Sequence, residues 1–221
     1  MLFGTDTHNG ESKMEIELKF LVEESFTRDR ILNDQHLLAL ADGESLQAIT
    51  MKAIYLDTED RKLLEKKIAF RVRFEDERLV ATLKWGGDAN NGLHTRGELN
   101  AAVEETFLEH PSLDIFRGST IYEEIGPAME NVKLFPVMKM DFVRKQMHID
   151  TGKSISVLSY DEGEIRTVRG AAPISELEIE LYSGDQQDMM ALGQEIAAKY
   201  NLKPENKSKY QRGLELLGIT E

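Results

Sequence analysis

Glu15-Ile16-Glu17-Leu18-Lys19-Phe20 alternates without a break. Glu15, Glu17 and Lys19 fall on one side of an extended chain, and Ile16, Leu18 and Phe20 on the other, which is the period of a β-strand. The same period recurs down the chain. Ile68, Phe70, Val72 and Phe74 alternate with Lys67, Ala69, Arg71, Arg73 and Glu75. Leu79, Ala81, Leu83 and Trp85 alternate with Arg78, Val80, Thr82 and Lys84. Residues 94–100 place His94, Arg96, Glu98 and Asn100 on one face, and Leu177, Ile179 and Leu181 alternate with Glu176, Glu178 and Glu180. Further strands are predicted at 51–57, 136–149 and 154–167, for roughly eight in all.

Helical segments are expected at 25–40, 58–65, 103–109, 119–126 and 185–200. In the last, Met189, Met190, Leu192 and Ile196 suit one apolar face, with Asp185 or Ser183 as cap. Residues 85–92, Trp-Gly-Gly-Asp-Ala-Asn-Asn-Gly, read as a flexible hairpin loop. The pattern predicts an α+β fold with a large antiparallel sheet. That sheet is either open with one wet face or closed into a barrel that removes its edges. Residues 1–13 read as a disordered lead-in or an expression remnant, and 14–221 as a single domain.

At 221 residues the chain is long enough to bury a real core, and its 41% hydrophobic content excludes wholesale disorder. The net charge of −13 makes it a poor general binder of nucleic acid. No basic amphipathic helix marks a membrane surface, and the apolar runs are too short to span a bilayer. With no cysteine, disulfides, thiol nucleophiles and cysteine-type zinc sites are excluded. The N-terminus has no basic region followed by an apolar one, so a cytoplasmic location is expected. A homodimer is compatible with the sequence.

Charge on alternate strand positions usually means a solvated outer face. Three same-face glutamates, however, lie roughly 6–7 Å from neighbour to neighbour and repel one another. A cation beside them relieves that repulsion. Oxygen ligands without cysteine, and with few histidines, favour a hard ion such as Mg²⁺ or Mn²⁺. Arginines and lysines converging from several strands suit a polyanion, because guanidinium forks match phosphate oxygens. Periodicity alone leaves open whether these faces point inward at one another.

Six segments carry a family resemblance. Glu15-Ile16-Glu17-Leu18-Lys19 resembles the ExExK motif of the CYTH superfamily, the triphosphate tunnel metalloenzymes. Tyr55-Leu56-Asp57-Thr58 is similar to its YxDT segment, Phe70-Arg71-Val72-Arg73 to its basic strand and Ala81-Thr82-Leu83-Lys84 to its TLK segment. Glu176-Leu177-Glu178-Ile179-Glu180 resembles the late acidic strand, and Lys207-Ser208-Lys209-Tyr210 the C-terminal SKY segment. The resemblance covers roughly residues 14 to 213. Gly92-Leu93-His94-Thr95-Arg96-Gly97-Glu98, Met140-Asp141-Phe142-Val143-Arg144 and Ile174-Ser175-Glu176-Leu177-Glu178 resemble bacterial inorganic triphosphatases in which a CHAD domain follows. The sequence stops soon after the SKY segment, so a CYTH domain without CHAD is expected.

The resemblance implies a closed antiparallel eight-stranded β-barrel, a tunnel with helices outside and its charged positions inside. It implies phosphate binding by Lys19, Arg71, Arg73, Lys84, Arg96, Arg144 and Lys209. It implies one or two Mg²⁺ or Mn²⁺ ions on Glu15, Glu17, Glu176, Glu178 and Glu180, with Glu98 and Asp161 as additions. Glu15, Glu17, Lys19, Glu178 and Glu180 would then form the catalytic set. Some relatives carry a lysine, implicated in activating water, where Phe142 stands. Phenylalanine cannot serve, so no general base is assigned; Tyr55 is equally well read as a packed strand tyrosine. The implied activity is metal-dependent hydrolysis of tripolyphosphate, with ATP as a further substrate. A class IV adenylyl cyclase, a thiamine triphosphatase and a non-catalytic polyphosphate or nucleotide sensor are the alternatives.

Overall fold

The computed structural model describes residues 12–43, 45–129 and 132–219. Eight strands form the frame: β1 (Lys13–Leu21), β2 (Gln47–Asp57), β3 (Ile68–Glu75), β4 (Arg78–Asn90), β5 (Leu93–Ala102), β6 (Phe135–Asp150), β7 (Ser154–Thr167) and β8 (Gly170–Gly184). They pair antiparallel in the order β5-β4-β3-β2-β6-β7-β8-β1, and β1 then pairs back to β5. The sheet is therefore a closed eight-stranded antiparallel barrel, as expected. A two-residue strand, β9 (Lys203–Pro204), joins β1 at Phe20 and Leu21, beyond the reach of β5. Of the lead-in expected over 1–13, residues 1–11 lie outside the described residues. Lys13 itself belongs to β1, opposite Glu98.

The helices pack around the barrel. They are α1 (Ser25–Leu32), α2 (Gln35–Leu40), α3 (Lys62–Glu65), α4 (Thr120–Met129), α5 (Gln186–Tyr200) and α6 (Lys209–Leu216). On one flank Leu18, Phe20, Leu158, Leu177 and Ile179 point outward and meet Met189, Leu192 and Ile196 of α5, with Ile31 and Leu37 from α1 and α2. Gly193 lets α5 approach closely, since a Cβ there would run into Leu18. On the other flank Phe70, Val72, Ala81, Leu83 and Leu99 lie under Leu113, Phe116, Ile121 and Ile125. Each fully buried aliphatic or aromatic side chain contributes about 1.5–3 kcal/mol. The two larger parts of the hydrophobic core are thus outside the sheet, between barrel and helices.

A third apolar cluster, which includes Ala53, Tyr55, Met140 and Phe142, occupies part of the interior, and α6 packs Leu214 into it. The Tyr55 and Tyr210 rings stack there with centroids 5.0 Å apart.

Several expectations need correction. The segment 85–92 is mostly strand: β4 continues to Asn90 through an irregularity between Trp85 and Asp88. The chain reverses at Asn91-Gly92, both with positive φ, the geometry that Asn-Gly favours in a tight hairpin. A Cβ on Gly92 would sit 2.7 Å from the Lys19 carbonyl. The helix expected at 58–65 shrinks to Lys62–Glu65 because the buried Asp57 carboxylate accepts N–H bonds from Thr58, Leu63 and Leu64 and organises a turn instead. At 103–109 only a 3₁₀ turn forms, Glu105–Leu108. The helix expected at 25–40 breaks at Asp34.

α6 was not foreseen. Ser208 opens it with a reciprocal capping box to Gln211.

Asp34 holds the break. It caps α2 by accepting from the N–H groups of His36 and Leu37, and it also receives the Lys199 ammonium at 2.6 Å and the Tyr200 hydroxyl. Burial opposes its charge, but Lys199, Tyr200 and the two N–H groups outweigh that and pull the carboxyl down to about 2. A depressed carboxyl stabilises the fold above its unfolded value of about 3.9 and loses that contribution as pH falls through the folded one. Asp34→Ala should cost about 1–2 kcal/mol at pH 6. In thermal melts the gap between parent and variant should narrow from about pH 4 downward and close near pH 2. A gap independent of pH would show that Asp34 acts without its charge.

Candidate active site

Strand alternation that turns apolar residues outward turns the intervening charges inward. The barrel encloses a cavity of about 400 Å³. Glu15, Glu17 and Lys19 enter it from β1, Arg71 and Arg73 from β3, and Lys84 from β4. His94, Arg96 and Glu98 come from β5, Arg144 from β6, Glu178 and Glu180 from β8, and Lys209 from α6. Among the described residues nine basic and six acidic side chains line it, so an acidic protein encloses a basic cavity. No described helix is long and apolar enough to cross a membrane.

The register sets acids against bases. Glu15 lies opposite Arg96, Lys84 opposite Glu98, and Lys19 opposite Glu178. Lys84 bridges Glu15 at 2.7 Å and Glu98 at 2.6 Å, while Arg96 reaches Glu15 and, at 3.2 Å, Glu17. Lys19 meets Glu17 at 3.2 Å and Glu178 at 3.0 Å. Arg144 forks onto Asp161 with two bonds of 2.7 Å and touches Glu178 at 2.6 Å. Lys209 sits 2.7 Å from Asp161 and 2.9 Å from Glu178, also contacts Glu176, and lies 5.4 Å from the Phe142 ring centroid.

The electrostatics vary along the cavity. Burial works against the charges on Glu15 and Glu178, yet their cations win and hold both carboxyls well below the ordinary range. Burial also opposes Glu98, but Lys84 and then Lys13 bring it down to about 2, against the repulsion of Glu15. Glu180 differs. Burial raises its carboxyl, Glu15, Glu98 and Glu17 raise it further, and only Lys13 counters. Among the described residues Glu180 pairs only with Lys13, which it shares with Glu98. Glu15, Glu17 and Glu180 are oxygen-only donors, the type that a hard divalent cation takes. Tyr55, in the same cavity, has its phenol held below the usual value: burial opposes this, and Arg71, Lys84, Arg96 and Lys209 overcome it.

All the residues expected to bind phosphate line this one cavity, as do Glu15, Glu17, Glu178, Glu180 and Glu98. Glu176 and Asp161 do not. Both are fully buried behind the lining, where Glu176 contacts Arg212 as well as Lys209. The sequence reading missed Arg212. It lies three residues after Lys209, a spacing that puts both on one face of a helix, but without α6 that signal had no meaning. It also missed Lys13, taken as part of the lead-in.

A family profile described as the CYTH domain matches residues 13–214. The chain belongs to the CYTH family. An inorganic triphosphatase from Haemophilus influenzae is 32% identical over 164 residues, 74% of this chain and 45% of that protein, so the chain spans about half the length of this curated relative. Among solved structures, a candidate adenylyl cyclase from Hippeastrum described as having a dominant triphosphatase activity superposes with a TM-score of 0.69 at 17% identity, covering 94% of this chain and 97% of that one. A Bacillus halodurans protein described as a candidate adenylate cyclase gives a TM-score of 0.60 at 19% identity, covering 91% and 97%. At such identities the likeness shows the shared CYTH barrel.

Arg71 stands out within that barrel. It is buried, has no carboxylate within ion-pair distance among the described residues, and its Nε has no hydrogen-bond partner. Its Nη2 donates only to Thr82, at 3.4 Å, and a buried charge without a counter-charge destabilises the protein that carries it. Arg71→Met should therefore raise the melting temperature in phosphate-free buffer while weakening the stabilisation that tripolyphosphate gives. A lower melting temperature without ligand would mean that Arg71 is held by the fold and not reserved for an anion.

Proposed function

We propose that this protein hydrolyses inorganic tripolyphosphate to pyrophosphate and phosphate in its barrel. The observation that carries this reading is the enclosed basic lining beside a patch of crowded carboxylates. A polyanion suits the first and a divalent cation the second. The match to an inorganic triphosphatase supports the same reading.

Lys19, Arg71, Arg73, Lys84, Arg96, Arg144 and Lys209 bind and orient the phosphate chain. Arg71 is the cation most available to it, and Arg73 engages only Glu75 among the described carboxylates. Glu15, Glu17 and Glu180, joined by Glu178, would hold Mg²⁺ or Mn²⁺. Such an ion, when bound, neutralises phosphate charge and lowers the pKa of a coordinated water. Water adds to a terminal phosphorus as the bond to the bridging oxygen breaks. The basic side chains stabilise the charge that develops on the departing pyrophosphate, in a site whose dipoles are fixed before the reaction begins.

The test is phosphate release from tripolyphosphate, ATP and pyrophosphate, with Mg²⁺, with Mn²⁺ and with chelator, while cyclic AMP is read in the ATP reaction. Metal-dependent release that prefers tripolyphosphate, without cyclic AMP, is expected. Cyclic AMP would reassign the chain to a cyclase, and inactivity towards every substrate would leave it a binder. Glu180→Gln should fold normally but bind Mn²⁺ at least about tenfold more weakly, as expected when a charged ligand is lost. Unchanged Mn²⁺ affinity would move the metal away from Glu180.

A further inference from the structure

Asp161, Glu176 and Glu178 bring carboxylate oxygens within 4.8 Å of one another, a spacing that suits a metal ion. The cluster already has cations of its own. The Lys209 ammonium contacts all three carboxylates, one for each of its three N–H donors. Arg144 forks onto Asp161 and reaches Glu178, Lys19 lies beside Glu178 and Glu176, and Arg212 contacts Glu176. Three carboxylates thus face four basic side chains. A metal ion held by Asp161 and Glu176 would add charge where cations are already in excess, whereas Glu178, alone of the three, also lines the cavity that holds Glu180.

The cluster also has two layers. Lys19, Lys209, Arg144 and Glu178 face the cavity, whereas Asp161, Glu176 and Arg212 do not line it. Glu176 is fully buried and joins cations from two elements, Lys19 of β1 and Lys209 of α6. Arg212, one turn beyond Lys209 on α6, approaches the other Glu176 oxygen. Glu176 therefore fixes where α6 delivers its lysine. The connection leading into α6 is tied to the same region: the Glu205 N–H donates to the Lys19 carbonyl at 3.0 Å, and His94 Nε2 bonds the Glu205 carbonyl at 2.8 Å.

We propose that Glu176 is a positioning residue and not a metal ligand: with Arg212 as its anchor on α6, it holds Lys209 and Lys19 against the cavity for a condensed phosphate. This rests on the tripolyphosphatase reading and assigns one of the three glutamates of the late acidic strand to a different task from its neighbours. It also gives Arg212, which never reaches the cavity, a part in substrate affinity.

The experiment uses the full chain and two readouts. Mn²⁺ is titrated calorimetrically into substrate-free protein, and KM and kcat for tripolyphosphate are measured at saturating Mn²⁺. Glu176→Gln should leave the Mn²⁺ dissociation constant within about twofold and raise KM about tenfold, the loss expected for one charge-assisted contact, with a smaller change in kcat. Glu180→Gln serves as the metal-site control. Arg212→Met should raise KM in the same direction without touching Mn²⁺ affinity, and Arg212→Lys should recover much of the loss; this pair carries the test if Glu176→Gln fails to fold. Mn²⁺ affinity that falls in Glu176→Gln as in Glu180→Gln would make Glu176 a metal ligand. An unchanged KM in Glu176→Gln or, where only that pair folds, in Arg212→Met would remove the positioning role. A parent protein that neither binds nor cleaves tripolyphosphate would overturn the hydrolase reading and this inference together, whereas an active parent with either of the former results overturns this inference alone.

Discussion

Every charge inside this barrel must find an opposite charge or a ligand, and that requirement organises the rest of the molecule. Moving an ionised side chain out of water costs several kcal/mol, and only close partners offset it. The register supplies those partners by setting Lys84 against Glu98, Arg96 against Glu15 and Lys19 against Glu178. An interior built this way contributes little net stability. The stabilising apolar burial therefore lies on the other face of the same strands, under α5 on one flank and under α4 and its preceding turns on the other. An ordinary small barrel fills its inside with aliphatic side chains and wets its outside. Here the two faces have exchanged roles, and the helices are the consequence.

That exchange explains what could be read from the sequence. Period two is the same whichever face is buried, so the strands at Glu15–Phe20, Ile68–Glu75 and Glu176–Leu181 were legible while their orientation was not. Only the likeness of whole motifs to a known family turned the charged faces inward. Local competition hid other features. The three N–H bonds taken by Asp57 convert a helical stretch into a turn, and Asn91-Gly92 closes a hairpin that glycine content alone made look like a loop. The expected phosphate-binding residues could be named because each lies in a segment that carries the family resemblance. Arg212 could not, because its role depends on a helix that begins only where Ser208 and Gln211 cap one another.

The cavity is chemically uneven. Around Glu180 negative charge accumulates with one lysine to oppose it, while around Glu176 positive side chains are in excess. A linear polyanion and a divalent cation would each find its complement on a separate part of the wall. Arg71, which pairs with no described carboxylate and leaves its Nε unbonded, fits the proposal that its partner is a phosphate group from outside the protein. Stability given up at such a position is the usual mark of a site selected for binding.

Closure of the barrel also sets a timetable. β1 is the first strand of the frame, yet its two neighbours in the closed barrel are β5 and β8, and Glu17 lies opposite both His94 and Glu180. At typical ribosomal speeds the interval between the synthesis of β1 and of β8 is on the order of ten seconds. Throughout that time β1 has one edge without its final neighbour, and its outward leucine and phenylalanine wait for α5, which is made later still. Contacts so distant in sequence form slowly. The alternating charges that later line the cavity meanwhile keep the nascent strand soluble and discourage it from pairing with another copy, the protection that charged residues give to any exposed strand edge. The same residues thus serve the chain before there is any cavity for them to line.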